Sequence, residues 1–263
     1  MRRNWLFVLS LALCVVPAAR AEVKTKSVTY DFDGVTFKGH LAWDDSVKGK
    51  RPGVLVVHEW WGLNDYARKR AEQLAGLGYV AFACDMYGEG KTAQHPKEAG
   101  EMASEVRKNL KTWQGRAKAA LKVLQDDEHV DGKKLAAIGY CFGGSTALQL
   151  AYSGADLAAV VTFHAGLPVP EAGQAKAIKA RLLICHGAAD GFVPEDTIHK
   201  IRAALEEAKV DYQMIYFGGA QHSFTVPTAD KAGVKGLAYN EAADRRSWQD
   251  MLQFFGETLG TRK

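Results

Sequence analysis

Cysteine is scarce in this sequence, with four in 263 residues. That excludes a disulfide scaffold, which a chain of this length does not need. No C-x-x-C pair occurs, which counts against a thiol redox protein. No G-x-x-x-x-G-K-[ST] or G-x-G-x-x-G run supports a nucleotide, and no H-x-x-x-H spacing supports zinc. Arginine-rich runs and RNA-stacking motifs are absent, as is any second apolar stretch long enough to span a bilayer. The expectation is therefore no cofactor, no metal and no nucleic-acid partner. Hydrophobic residues at 47% and charged residues at 24% are ordinary globular values. They exclude a disordered, collagen-like or coiled-coil chain.

The first residues read differently from the rest. Arg2 and Arg3 precede an apolar run from Trp5 to Val16, and Ala19-Arg20-Ala21 has the small-x-small form of a cleavage site. The run is shorter than a membrane span requires. Residues 1–21 are expected to be a bacterial signal peptide and 22–263 one domain, periplasmic or secreted, off the membrane once cleaved and monomeric. Cleavage removes three of the 34 Lys and Arg and none of the 30 Asp and Glu, so the net charge of +4 falls to +1. A field that small does not recruit polyanions. Cys84, Cys141 and Cys185 remain, and an odd count in an exported chain leaves a thiol unpaired or bonded to another chain.

After that segment the elements alternate. Lys26–Phe32 and Val35–Trp43 flank Asp33-Gly34, the pattern of a β-hairpin. Gly53–His58 is a continuous apolar run, as in a strand buried on both faces. Asn64 starts a helix reaching about Gly76, Tyr79–Cys84 is a strand, and Lys97–Gln125 is one broken helix or two. Lys134–Gly139, Leu157–Phe163, Arg181–His186 and Val210–Phe217 read as strands. Phe142–Tyr152, Pro194–Ala208 and Tyr239–Leu259 read as helices. The order predicts an α/β fold: a mostly parallel sheet with an antiparallel start and helices on both faces.

The stretch Gly139-Tyr140-Cys141-Phe142-Gly143 lies between a strand and a helix. It has the G-x-nucleophile-x-G form of a nucleophile elbow, with Cys for Ser. The turn puts the sulfur at a helix N-terminus, whose positive end favours a thiolate. Downstream, Asp190 follows a strand, and His222 lies on a glycine-rich loop after the next one. Nucleophile, acid, histidine is the chain order of such a triad.

His58-Glu59-Trp60-Trp61-Gly62, Asp85-Met86-Tyr87-Gly88, the Cys141 elbow, His186-Gly187-Ala188-Ala189-Asp190 and Gln221-His222-Ser223-Phe224 together resemble the dienelactone hydrolase family of α/β-hydrolases. The resemblance implies an α/β-hydrolase fold, a Cys141–His222–Asp190 triad, and a resting contact between Glu59 and Cys141. It implies oxyanion donors at the backbone N–H groups of Trp60 and Phe142. Trp61 and Tyr87 are candidates to touch substrate. The expected activity is hydrolysis of small esters or lactones through an acyl-thioenzyme. Acyl transfer on the same triad and a non-catalytic ligand-binding protein of the same fold are the alternatives. The resemblance also implies two arginines for a substrate carboxylate, but Gly88-Glu89 and Thr225-Val226 stand in those neighbourhoods. Neutral substrates are therefore expected to be preferred.

Overall fold

The computed structural model describes residues 22–260. The expected signal peptide, 1–21, lies outside the described residues. The chain opens with an antiparallel hairpin, β1 (Val23–Phe32) and β2 (Val35–Asp44), turning at Asp33-Gly34. There follow β3 (Arg51–Val57), α1 (Asp65–Ala75), β4 (Val80–Cys84), α2 (Pro96–Arg107), α3 (Leu110–Asp126) and β5 (Val130–Tyr140). Then come α4 (Phe142–Tyr152), β6 (Ala159–Phe163), α5 (Ala172–Ala177), β7 (Arg181–Gly187), α6 (Glu195–Glu207), β8 (Tyr212–Phe217) and α7 (Glu241–Thr258). The eight strands form one sheet in the order β1-β2-β4-β3-β5-β6-β7-β8. From β4 to β8 every pairing is parallel, while β2 joins β4 antiparallel.

The central strands are apolar because both of their faces are covered. All seven residues of β3 are buried. Leu55 and Val57 enter a core shared with α3, α4 and α6, and Val54 and Val56 enter one shared with α1 and α7. Each such side chain contributes roughly 1.5–3 kcal/mol relative to exposure. Asparagine side chains cap three helices: Asn64 accepts from Ala67 N at 3.3 Å, and Asn109 and Asn240 do the same for α3 and α7 at 3.0 Å. The Asn109 cap is why Lys97–Gln125 forms two helices rather than one. Two elements were not foreseen, α5 and a 3-10 turn at Ala229–Ala232. Both are too short for apolar periodicity to mark them.

Parallel order brings the C-terminal ends of β3, β5, β6, β7 and β8 to one edge. Glu59, Cys141, His164, Asp190 and His222 each lie one to five residues beyond one of those strands.

Candidate active site

Cys141 occupies the sharp turn between β5 and α4, with φ +52° and ψ −113°. This conformation costs a non-glycine residue about 1–3 kcal/mol, and the surrounding structure must impose it. Its N–H donates to Phe163 O at 3.0 Å and its carbonyl accepts from Ser145 N at 3.1 Å. The flanking glycines are required by close approach. A Cβ on Gly139 would lie 2.0 Å from Gly143 O, and one on Gly143 would lie 2.2 Å from Val57 O. The sulfur is partly exposed in a cavity of about 460 Å³, which His222 also lines.

The loop after β8 folds back over the end of β7. Ala189 N donates to Ala220 O at 2.9 Å, and Gly187 lacks the Cβ that would meet Ala220 O at 2.5 Å. That crossing delivers His222 to Asp190, whose Oδ2 accepts from His222 Nδ1 at 2.8 Å. Asp190 Oδ1 is held by Phe192 N at 2.9 Å. Both residues are buried. Burial alone disfavours the imidazolium, but the Cys141 sulfur and the Asp190 carboxylate outweigh it and push His222 up to about 10.

Glu59 is placed differently from the expectation. Its Oε1 accepts from Ser223 Oγ at 2.7 Å, and its neighbouring charge is His222 rather than the thiol. No hydrogen bond joins Glu59 to Cys141 among the described residues. The Ser223 hydroxyl has claimed the carboxylate, which lines a second cavity of about 350 Å³ beside the first. Burial raises Glu59 above the usual carboxylate range, opposed by the Ser223 bond and the His222 charge.

Trp60 lines the Cys141 cavity, with Trp113 and Phe192. The two substrate-contact candidates do not. Trp61 turns into the second cavity, because Gly62, at φ +89°, bends the chain back there. Tyr87 is buried and donates its hydroxyl to Trp60 O at 2.8 Å, so it supports that backbone from behind. His58 is also fully engaged: it bonds Glu59 O and accepts from Met86 N. No group of three or more His, Cys, Asp and Glu among the described residues is placed to hold a metal.

Two further residues stand at the site to which the sequence assigns no role there, His164 being only one of the strand-end histidines weighed against a metal site. Arg107, at the end of α2, is the one Lys or Arg among the described residues lining the Cys141 cavity. Its guanidinium lies 5.2 Å from the Phe142 ring centroid. It is exposed and has no ion pair among the described residues. His164, after β6, is fully buried beside Glu59 and His222. No motif marks either residue, since only the packing of α2 and the end of β6 brings them here.

A structure described as a dienelactone hydrolase-like promiscuous phosphotriesterase from metagenomic libraries is 42% identical to this chain. It superposes with a TM-score of 0.88 over 90% of this chain and 98% of its own. Protein usf of Aquifex pyrophilus is 29% identical over 237 residues, covering 88% of this chain and 98% of that protein. A chain of Aquifex aeolicus, assigned by name as a carboxymethylenebutenolidase, is 29% identical over 201 residues, or 75% of this chain and 85% of its own. These neighbours and the sheet order make the fold that of the α/β-hydrolases. The sequence profile of the dienelactone hydrolase family matches residues 37–259. With so much of the strand–helix alternation inside that match, the chain belongs to the dienelactone hydrolase family.

Proposed function

We propose that this hydrolase cleaves small carboxylic esters or lactones with Cys141 as nucleophile, through an acyl-thioenzyme. The observation that carries the reading is the hydrogen-bonded His222–Asp190 pair at 2.8 Å, with His222 coupled to the sulfur at the elbow. The Cys141 thiolate attacks the carbonyl carbon, forming a C–S bond and a tetrahedral oxyanion. The Phe142 amide has no acceptor within α4, since it opens the helix. With the Trp60 amide it is assigned to that oxyanion, a donor of this kind being worth about 2.7–4 kcal/mol. The His222 imidazolium gives its proton to the departing alkoxide. The neutral ring then takes a proton from water, whose oxygen displaces the sulfur and releases the acid. Asp190 keeps the imidazole in the Nδ1–H tautomer needed for both steps. Glu59 supplies a second negative group near the imidazolium.

The test is a screen of short aryl esters and lactones with purified residues 22–263 and a Cys141→Ala control. Intact-mass analysis should show a transient acyl adduct on Cys141 alone. Turnover that survives Cys141→Ala refutes the nucleophile assignment. A second substrate class comes from the 42% identical neighbour, described as a promiscuous phosphotriesterase, so an aryl phosphotriester belongs in the same screen. Export is part of the proposal: periplasmic or culture-medium recovery of a chain beginning near Glu22 supports it, and an intact cytoplasmic chain refutes it.

A further inference from the structure

We propose that His164 is a positioning residue for Glu59, with its proton fixed on Nδ1 by a one-way chain of hydrogen bonds from Arg70 through Tyr66 and Thr225. The proposal rests on the reading of Glu59 as part of the site.

The chain begins at a group that only donates. Arg70 Nε donates to Tyr66 Oη at 3.2 Å, and Arg70 is anchored by Asp244 at 2.5 Å and Thr225 O at 3.0 Å. Tyr66 Oη and Thr225 Oγ1 are 2.6 Å apart, and Thr225 Oγ1 and His164 Nε2 are 2.8 Å apart. With Tyr66 already accepting from Arg70, its own proton goes to Thr225. The Thr225 proton then goes to His164 Nε2. An imidazole accepting at Nε2 must, if neutral, carry its hydrogen on Nδ1. Neutrality is secure: burial, with the His222 charge adding to it, holds His164 well below its usual range.

That Nδ1 has no hydrogen-bond partner among the described residues although the residue is fully buried. Buried polar groups are rarely left unmet, and those that are call for a reason. It faces Glu59 Oε1 at 3.9 Å. The distance is too long for a hydrogen bond in this position of the carboxylate, which Ser223 holds. His164 and Ser223 both carry positive φ, +42° and +56°, so backbone strain is spent on both donors that flank this carboxylate. The arrangement gives Glu59 one bound donor, Ser223, and holds a second, His164 Nδ1–H, in reserve for the carboxylate as the nearby His222 imidazolium gains and loses its proton.

The tautomer is read directly by 15N NMR of the histidine-labelled protein near neutral pH, with His164→Gln used for assignment. The Nδ1–H tautomer is expected in wild type, against the Nε2–H preference of a free histidine side chain. Thr225→Val should release the ring to Nε2–H, and Thr225→Ser should restore Nδ1–H. If Thr225→Val does not fold, Tyr66→Phe frees the same chain one link earlier. Thr225→Val should also lower kcat/KM about tenfold, as for one lost hydrogen bond to a charged group. It should move to higher pH the acid limb that Glu59→Gln abolishes. The groups facing Glu59 in that titration are His222, His164, Tyr66 and Tyr140, with Arg70 behind Tyr66. In a Glu59→Gln background Thr225→Val should add no further loss. Nε2–H in wild type, a tautomer indifferent to Thr225, or an undiminished Thr225 effect without Glu59 would each overturn the proposal. If Glu59→Gln alone leaves kinetics unchanged, the site reading of Glu59 falls, and the tautomer measurement still decides the hydrogen-bond chain.

Discussion

Replacing Arg107 by alanine separates the two ways this cavity can treat a charged substrate. The two arginines implied by the family resemblance are missing, so a neutral acyl chain should be turned over faster than a carboxylate-bearing one. Arg107 nonetheless stands at the cavity wall with no acid paired to it. A carboxylate 4 Å from it gains about 1 kcal/mol in bulk water and about 4 kcal/mol at an effective dielectric constant of 20. Arg107 is exposed, and exposed pairs measure only about 0.2–1 kcal/mol. Apolar walls such as Trp60 and Trp113 raise the value by excluding water. About 2 kcal/mol is a reasonable figure for the occupied cavity, which is roughly 30-fold in kcat/KM. The assay compares two 4-nitrophenyl esters of equal chain length, one ending in methyl and one in carboxylate. Wild type should favour the methyl ester. Arg107→Ala should widen that preference roughly 30-fold, nearly all of it from the carboxylate ester, and added salt should narrow the difference between wild type and variant. Loss of the guanidinium from the Phe142 ring can slow both substrates, so the ratio is the diagnostic. An unchanged ratio would refute the assignment of Arg107 to substrate charge.

Four further outcomes follow from the same geometry. Gly143→Ala forces a methyl group to 2.2 Å from Val57 O and 2.5 Å from His58 O, both backbone atoms of the sheet. Overpacking of this kind costs about 1–3 kcal/mol or more, so calorimetry should show a Tm lower by roughly 5–10 °C. His222 binds its proton more tightly in the folded chain, at about 10, than the usual 6.5. Its protonation therefore stabilises the fold fully below pH 6.5, and that contribution is lost as pH rises through about 10. Chemical denaturation from pH 6 to 10.5 should show this loss, and Cys141→Ala, which removes the charge partner, should shrink it. Iodoacetamide should label Cys141 first, because Cys84 and Cys185 are fully buried and burial raises both thiols. Their strands, β4 and β7, are four positions apart in the sheet, about 19 Å at 4.8 Å per strand, so non-reducing peptide maps should lack a bond between them.

Most of the sheet was legible because buried parallel strands have a plain signature. Val54–Val57, Ala81–Cys84 and Leu182–Cys185 are apolar on both faces, and the structure covers both faces with helices. The elbow was legible for a steric reason: Gly139 and Gly143 each meet backbone within 2.2 Å, so the spacing of glycines around Cys141 is fixed by contact. Strand ends were less exact. β5 begins at Val130 rather than Lys134, because its pairing with β3 shifts register at Pro52/Gly53, and Val130 pairs Arg51 beyond that irregularity. Alternation within one strand carries no trace of an irregularity in its partner.

What escaped the sequence was which neighbour each polar group would choose. The resting contact between Glu59 and Cys141 was implied by the family resemblance, and the two residues do follow adjacent strands, β3 and β5. Yet Ser223, at φ +56°, aims its hydroxyl at Glu59 from the loop of His222. That loop is also bound back through Ala238 N to His222 O and Asn240 N to Phe224 O. Once the loop is fixed by the His222–Asp190 pair, Ser223 is delivered to Glu59 as a consequence, and its hydroxyl takes one oxygen of the carboxylate. The same loop carries Thr225 to His164 and Tyr66. Four successive residues, His222 to Thr225, thus face four directions, toward Asp190, Glu59, the apolar core and His164. Read in sequence, Gln-His-Ser-Phe-Thr shows one histidine and its flanks. Folded, it ties the His222 imidazole to the carboxylate beside it, so a change at Ser223 or Thr225 should register in the titration of both His222 and Glu59.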